Sequence, residues 1–242
     1  MDVTATAVDI AGLRKRYGKT EAVSSLVLQV RAGTTFGLVG ANGAGKTTLI
    51  KCMLAFCDFD EGHIAIFGVP SYRTEARKRL AFLPESFVPP YYLTGKDFLK
   101  YMAGMYERNF DLDERIKTLA SVDLDSDVLA KPVRSLSKGM TQKLGITSCL
   151  LSGREMLVLD EPSSGLDPKA RALFKTALES ARSSGRTIFL TSHSLADVDE
   201  ICDDMAVLHQ GSLRIAGTPA ALKQRHNASN LEQPYLACIG VS

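Results

Sequence analysis

A glycine-rich segment that ends in lysine and threonine carries the clearest chemistry in the sequence. Residues 40–48 read Gly-Ala-Asn-Gly-Ala-Gly-Lys-Thr-Thr, which matches the G-x-x-x-x-G-K-[ST] pattern of a phosphate-binding loop. Its glycines let successive backbone N–H groups face one anion, and the helix that follows adds the partial positive charge of its N-terminus. Lys46 is predicted to reach β- and γ-phosphates, and the Thr47 hydroxyl to hold Mg²⁺.

The segments around this loop are the ones that a phosphate-binding loop needs. The apolar residues 34–39 predict a buried strand before it, and residues 47–55 predict a helix after it. Further apolar strands and helical stretches alternate along the chain, which predicts a mostly parallel, doubly wound α/β sheet. Residues 86–152 interrupt this alternation with successive helical stretches and are predicted to form a helical insertion.

Two adjacent acids follow another predicted buried strand. Asp160 and Glu161 end the run Met-Leu-Val-Leu-Asp-Glu, and ligands bind at the carboxyl ends of strands in open α/β sheets. We expect Asp160 to hold Mg²⁺, directly or through water, and Glu161 to act as general base beside an attacking water. Together with the phosphate-binding loop, these positions favour a catalytic pair over two solvated acids at a strand end.

A third cluster lies just before a predicted helix. Residues 135–142 read Ser-Leu-Ser-Lys-Gly-Met-Thr-Gln. Ser137 is suited to cap the helix, and Gly139 permits a close approach of backbone. By themselves these residues are equally compatible with an ordinary helix cap.

Taken together, the motifs resemble those of the ATP-binding subunits of ABC transporters. Residues 136–140, Leu-Ser-Lys-Gly-Met, resemble the signature that usually reads Leu-Ser-Gly-Gly-Gln, and residues 162–167, Pro-Ser-Ser-Gly-Leu-Asp, resemble the D-loop. His193 follows the predicted strand 187–191 and matches the switch histidine, and Tyr17 matches the aromatic residue that stacks on adenine. The resemblance covers nearly the whole chain, and all motifs follow the family's order.

The resemblance implies a phosphate-loop NTPase core of the RecA-like type. Such an α/β core has a mostly parallel sheet, an antiparallel β subdomain and an inserted α-helical subdomain. The implied boundaries are residues 1–85 and 153–218 for the core, 86–152 for the helical subdomain with the signature, and 219–242 for a C-terminal tail.

The resemblance also implies ATP and Mg²⁺ as ligands and assigns residues to them. The implied catalytic residues are Lys46, Glu85, Glu161 and His193. The implied nucleotide contacts are Tyr17, Gly40, Asn42, Gly43, Ala44, Gly45, Lys46, Thr47, Thr48, Ser137 and Gly139. The implied magnesium ligands are Thr47, Glu85 and Asp160.

Two of the motifs depart from the family's usual residues. Lys138 and Met140 replace the second glycine and the glutamine of the signature, while Ser137 and Gly139, the contacts to the γ-phosphate, remain. Glu85 stands where the family's Q-loop has glutamine. Its carboxylate can still bind Mg²⁺ or orient water, but it adds negative charge near the phosphates, which affects hydrolysis rather than binding. Both variants resemble those of exporter subunits.

The family's arrangement implies partners. In it, the signature of a second subunit closes over the γ-phosphate bound by the first. Since this chain has one loop and one signature, we expect two copies, or one copy and a paralogue, to pair head to tail. The resemblance further implies an integral membrane permease as partner, ATP hydrolysis that powers export, and a peripheral position on the cytoplasmic face of a bacterial membrane.

The composition argues against several other classes of protein. The net charge of +2 argues against a dedicated nucleic-acid binder. The five cysteines are scattered, which favours packing roles in a reducing cytoplasm. No apolar stretch approaches the ~20 residues that span a bilayer, and the N-terminus lacks a secretory pattern. We therefore expect a chain that is soluble by itself and reaches the membrane through a partner.

Several alternatives remain open at this stage. An importer subunit is the nearest, and the exporter-like signature disfavours it. Soluble chromosome-maintenance relatives separate the two nucleotide motifs by long coiled coil, which this chain lacks, and translation-associated relatives carry two nucleotide domains. A regulatory module that binds ATP without turnover is disfavoured by the presence of Glu161 and His193.

Overall fold

The computed structural model describes residues 5–240, which form two β-sheets and the helices that pack on them. The strands are β1 (Thr6–Tyr17), β2 (Thr20–Arg31), β3 (Thr35–Val39), β4 (Glu61–Ile66), β5 (Val69–Pro70), β6 (Leu80–Leu83), β7 (Met156–Asp160), β8 (Thr187–Ser192), β9 (Asp204–His209) and β10 (Ser212–Gly217). The helices are α1 (Lys46–Met53), α2 (Thr74–Arg77), α3 (Gly95–Met105), α4 (Leu112–Ala120), α5 (Lys138–Leu150), α6 (Pro168–Ser183), α7 (Leu195–Ile201), α8 (Pro219–Arg225) and α9 (Glu232–Ile239).

The larger sheet has six strands in the order β10-β9-β3-β8-β7-β6. The strands from β9 to β6 pair in parallel, and β10 closes one edge as the antiparallel partner of β9. The second sheet, β2-β1-β4-β5, is antiparallel throughout. The predicted fold class, a mostly parallel α/β core with an antiparallel sheet and added helices, is confirmed.

The central strands β3, β7 and β8 are buried along their whole length because both faces of the large sheet are covered. In β7, Met156 and Val158 pack into the core shared with the antiparallel sheet and α1. Leu157 and Leu159 point the other way, into the core shared with α5 and α6. This alternation follows from the two-residue period of a strand. The sheet is thereby held rigidly from both sides.

The helices α3, α4 and α5 form the block that the sequence predicts as an insertion. α5 packs closely against the end of β6, because Gly145 leaves room where a Cβ atom would lie 2.6 Å from the Leu83 side chain. Lys143 anchors the same helix by donating to the backbone oxygen of Asp123 at 2.8 Å. These contacts hold the middle of α5, and Ser137 caps its N-terminus. The boundaries at 86 and 152 stay a prediction.

Two regions differ in detail from the sequence-based expectation. The sequence of residues 73–79 predicts a short basic helix, and the structure forms only α2 there. The chain turns at Arg79, whose guanidinium pairs with Glu155, to enter β6. The predicted tail contains α8 and α9. Thr218 caps α8 and Pro219 occupies its first turn, a typical helix start.

Residues 1–4 of the predicted core and 241–242 of the predicted tail lie outside the described residues. Between residues 5 and 240, no helix is long and apolar enough to cross a membrane.

Candidate functional site

Four chemistry-bearing segments meet at the carboxyl edge of the parallel sheet. The phosphate-binding loop follows β3, Glu85 follows β6, Glu161 follows β7 and His193 follows β8. The strand register aligns these ends, since Asp160 at the end of β7 lies opposite Thr191 in β8. The site therefore lies at the carboxyl edge of the parallel strands, where open α/β sheets bind ligands.

A cleft of about 600 Å³ opens at this edge, and we refer to it as the nucleotide cleft. Its size suits a small-molecule ligand. It brings together most of the sequence-predicted site residues. Its walls are formed by Thr20, Glu21, Ala22, Ala41, Asn42, Gly43, Ala44, Gly45, Lys46, Thr47, Thr48, Glu85, Asp160, Glu161, Gln210 and Gly211.

The glycines of the phosphate-binding loop are required by its surroundings. A Cβ atom on Gly40 would lie 2.4 Å from the carbonyl oxygen of Leu208, and one on Gly45 would lie 2.4 Å from that of Ala22. Gly45 also has a φ of +110°, which side-chain-bearing residues rarely adopt. The loop therefore holds its curled shape only with glycine at these two positions.

Lys46 lies at the floor of the cleft with its side chain 7% exposed. Its Nζ donates to the carbonyl oxygen of Gly40 at 2.5 Å and lies 3.2 Å from Oε1 of Glu161. Among the described residues, Glu161 Oε1 is buried without a hydrogen-bond partner, so this approach is an ion pair without hydrogen-bond alignment. A buried charge is costly unless it is well paired. The lysine is thus suited to accept a bound anion as a better partner.

Asp160 is 2% exposed and is held by two threonine hydroxyls. Thr191 Oγ1 donates to Oδ1 at 2.5 Å, and Thr47 Oγ1 donates to Oδ2 at 3.2 Å. The Thr47 and Asp160 oxygens therefore stand together beside the phosphate-binding loop. Hydroxyl and carboxylate oxygens are ligands that Mg²⁺ accepts, and Mg²⁺ commonly uses one or two carboxylates together with substrate phosphates. The residues present fit such an ion.

Glu161 and His193 form a second contact pair at the cleft. The His193 backbone N–H donates to Glu161 Oε2 at 3.2 Å, and the ring Nδ1 lies 2.7 Å from the same oxygen. Since an ionised carboxylate only accepts, Nδ1 carries the proton in this arrangement. Glu161 has a φ of +50°, an uncommon conformation for glutamate, and its N–H donates to Thr191 Oγ1 at 3.0 Å. The two His193 donors therefore orient the carboxylate, and the Thr191 hydroxyl holds the Glu161 backbone.

Glu85 and Tyr17 occupy different places relative to the cleft. Glu85 is exposed and lines the cleft wall, in line with the sequence-based expectation of its position. Tyr17 ends β1 with half of its surface exposed and lies outside the residues that line the cavity. The Lys15 ammonium stands 5.0 Å from the centre of its ring. A hydrogen bond with Cys57 raises the pKa of Tyr17 above its ordinary value.

Ser137 and Gly139 are not brought to the nucleotide cleft of their own chain. Ser137 is exposed and caps α5, accepting from the Met140 N–H at 3.2 Å. Gly139 approaches the D-loop, where an added Cβ would lie 3.1 Å from the Gly165 carbonyl oxygen. Within the described chain, the signature therefore faces outward beside residues 162–167.

Some residues of the site were not found from the sequence. Thr191 holds Asp160, yet it lies in an apolar strand and gives no motif. The turn at Gln210 and Gly211 reaches the cleft because the Gly211 N–H donates to the Ala44 carbonyl oxygen at 3.0 Å. The Gln-Gly pair between two short apolar segments predicts a turn, but it does not show which loop the turn contacts.

Comparisons with known proteins agree with this geometry. The family profile described as "ABC transporter" matches residues 23–164. An uncharacterized ABC transporter ATP-binding protein of Synechocystis is 37% identical over 84% of this chain. The Nod factor export ATP-binding protein I of Sinorhizobium fredii is 35% identical over 89% of it. The chain spans 58% and 64% of the lengths of these two relatives. A solved structure described as the ATP binding subunit of an ABC transporter superposes with a TM-score of 0.84 at 26% identity, over 97% of this chain and all of the other.

Proposed function

This chain belongs to the ABC transporter family as an ABC ATPase domain, and on that premise we propose that it hydrolyses ATP to power export through a separate membrane-spanning partner. One observation carries the proposal: Lys46, Asp160 and Glu161 line a single cleft beside the phosphate-binding loop. The presence of a cation, a candidate magnesium ligand and a candidate base in one cleft supports phosphoryl transfer to water.

ATP binding rests on the loop and Lys46. The backbone N–H groups of residues 40–48 and the N-terminus of α1 provide positive potential for the β- and γ-phosphates. Lys46 shifts its ammonium from the Glu161 carboxylate, 3.2 Å away, to the arriving phosphates. Tyr17, at the end of β1, stacks on the adenine.

Magnesium is proposed to bind at Thr47, Asp160 and Glu85. Thr191 and Thr47 hold the Asp160 carboxylate by hydrogen bonds, so its oxygens are oriented before a ligand arrives. The ion, when bound, neutralises the charge that develops on the phosphate oxygens. Glu85 adds a carboxylate to this side of the cleft and makes it more acidic than a glutamine there would.

Hydrolysis is assigned to Glu161, with His193 orienting it. Once Lys46 engages the phosphates, the Glu161 carboxylate is free to accept a proton from the attacking water. His193 holds Oε2 by two donors and so keeps Oε1 directed into the cleft. The positive φ of Glu161 is the kind of local strain that concentrates at active sites.

The site is proposed to be completed by a second ATPase chain. Ser137 and Gly139 are predicted γ-phosphate contacts, yet they lie outside the nucleotide cleft of their own chain. A head-to-tail pair, of two copies or of one copy and a paralogue, brings the signature of each chain over the cleft of the other. ATP binding then favours the closed pair, and hydrolysis releases it.

Export is proposed from the relatives and from two sequence features. The Sinorhizobium relative is named for export of Nod factor, and the Leu-Ser-Lys-Gly-Met signature and Glu85 resemble exporter subunits. The chain would then bind the cytoplasmic face of the membrane as a peripheral subunit. The helical block 86–152, which begins beside Glu85, would transmit closure to the permease.

Co-purification tests this function directly. The tagged chain is extracted with a mild detergent from its native cells, and associated membrane proteins are identified by mass spectrometry. A polytopic membrane protein that stimulates ATPase activity on reconstitution supports the exporter subunit. Recovery of the chain alone, with full ATPase activity that no membrane protein changes, contradicts it.

A further inference from the structure

Asp197 is a buried carboxylate in the first turn of α7, only 5% exposed. Its backbone N–H already serves the helix start, because it donates to the Ser194 hydroxyl at 3.2 Å. The side chain is not needed for that cap. Since burial of an unpaired carboxylate is costly, the side chain must be compensated by other contacts.

Those contacts join three separate segments. Asp197 Oδ2 accepts from the Ser163 hydroxyl at 3.0 Å. Oδ1 lies 3.4 Å from the Lys175 ammonium and 4.0 Å from the Arg171 guanidinium. Both cations belong to α6, which is anchored in the core through Phe174. The carboxylate is thus satisfied by one hydroxyl from a loop and two cations from a rigid helix.

The two segments joined at Asp197 are those that carry Glu161 and His193. Ser163 lies two residues after Glu161, in a turn closed by the Ser164 N–H donating to the Glu161 carbonyl oxygen at 3.1 Å. His193 lies four residues before Asp197, just ahead of α7. The hydrogen bond between Ser163 and Asp197 therefore joins the two segments close to the 2.7 Å contact between Glu161 and His193.

We propose that Asp197 is a positioning residue that holds the Glu161 and His193 loops in register by binding Ser163 and α6. The inference rests on the proposed ATPase function and adds a residue that acts through Glu161 rather than on the substrate. A misplacement of about 1 Å in a catalytic group costs roughly 10²-fold in rate. The hydrogen bonds of Lys46 to Gly40 and of Thr47 to Asp160 involve neither Asp197 nor the Glu161 carboxylate, so we expect nucleotide binding to change little when Asp197 changes.

The test compares Asp197→Asn and Ser163→Ala with wild type. Both variants should lower kcat, by about 10–100-fold for Asp197→Asn and less for Ser163→Ala, with KM for ATP changed by less than about twofold. Ser163→Thr, which keeps the hydroxyl, should restore kcat. Asp199→Asn is the matched control: it lies on the same helix and breaks the ion pair with Lys223, remote from both loops.

A second measurement does not depend on turnover. In the nucleotide-free wild type, nitrogen NMR of the His193 ring should report one tautomer with the proton on Nδ1. Asp197→Asn and Ser163→Ala should convert this signal to a mixture of tautomers, while Asp199→Asn should not. The proposal is overturned if both variants keep the wild-type tautomer, or if they lose it with kcat unchanged. Absence of turnover in wild type would contradict the proposed function instead. The His193 tautomer would still test whether Asp197 holds the Glu161 and His193 loops in place.

Discussion

Lys46 and Glu161 form an ion pair of 3.2 Å at the floor of the nucleotide cleft, with both side chains almost fully buried. The predicted phosphate-binding cation and the predicted general base thus neutralise each other. In the proposed function, phosphate oxygens at the loop compete with the carboxylate for the same ammonium. Ligand binding would then exchange the partner of Lys46 and free Glu161, which would couple occupancy of the site to the availability of its base.

Lys46→Ala should abolish measurable ATP binding while the fold is retained. Each charge-assisted hydrogen bond contributes about 1.5–3 kcal/mol, or about 10- to 150-fold in affinity, and Lys46 is predicted to bind both the β- and γ-phosphates, so the two losses combine. The measurement is a nucleotide titration paired with thermal melting. Lys51→Ala, on the exposed side of the same helix, is the control and should bind normally. Unchanged affinity in Lys46→Ala would mean that residues 40–48 do not hold phosphate.

Glu85→Gln should preserve or raise ATPase activity. The substitution restores the residue that the family usually has and removes one negative charge from the cleft wall near the phosphates. Steady-state hydrolysis is compared with that of Glu107→Gln, an exposed acid beyond α3 that does not line the cleft. Complete loss of activity in Glu85→Gln alone would show that the ionised carboxylate itself is required.

Ser137→Arg and Lys46→Ala should complement each other when mixed. Ser137→Arg alone should bind ATP without hydrolysing it, because its own cleft is intact, and Lys46→Ala alone should do neither. A heterodimer contains one site with an intact loop and an intact signature, so the mixture should recover part of the activity.

The complementation result has two controls. Each variant must fold and associate, which melting and sizing chromatography establish, and the mixing ratio is varied. Wild-type chain that stays monomeric and fully active at high dilution would reject a site shared between chains. If no mixing ratio of the two variants restores ATP hydrolysis, the prediction that one composite site in a heterodimer suffices for turnover is wrong.

Most of the site could be predicted because its residues lie in local patterns. The phosphate-binding loop is bracketed by β3 and α1 close to the predicted limits, and β8 begins at the predicted residue 187. Asp160 and Glu161 follow a continuous apolar strand, which marks a buried parallel strand and hence the ligand-binding edge. These inferences need only the sequence on either side of each motif.

Contacts that depend on strand order could not be predicted in the same way. Thr191 reaches Asp160 because β7 and β8 pair in a particular register. The turn at Gln210 reaches the phosphate-binding loop because β9 lies beside β3. Asp197 looks like a surface acid in a helical stretch, and only the packing of α6 and α7 buries it. Such relationships join residues far apart in sequence, so no local pattern reports them.

The central claim, that this cleft hydrolyses ATP with Glu161 as base, is tested most directly by phosphate release from Glu161→Gln. The account predicts turnover lower by about 10²–10⁴-fold, with MgATP still bound and the chains held as a dimer on a sizing column. Glu179→Gln, an exposed acid on α6, should behave as wild type. Near-normal phosphate release by Glu161→Gln would contradict the account.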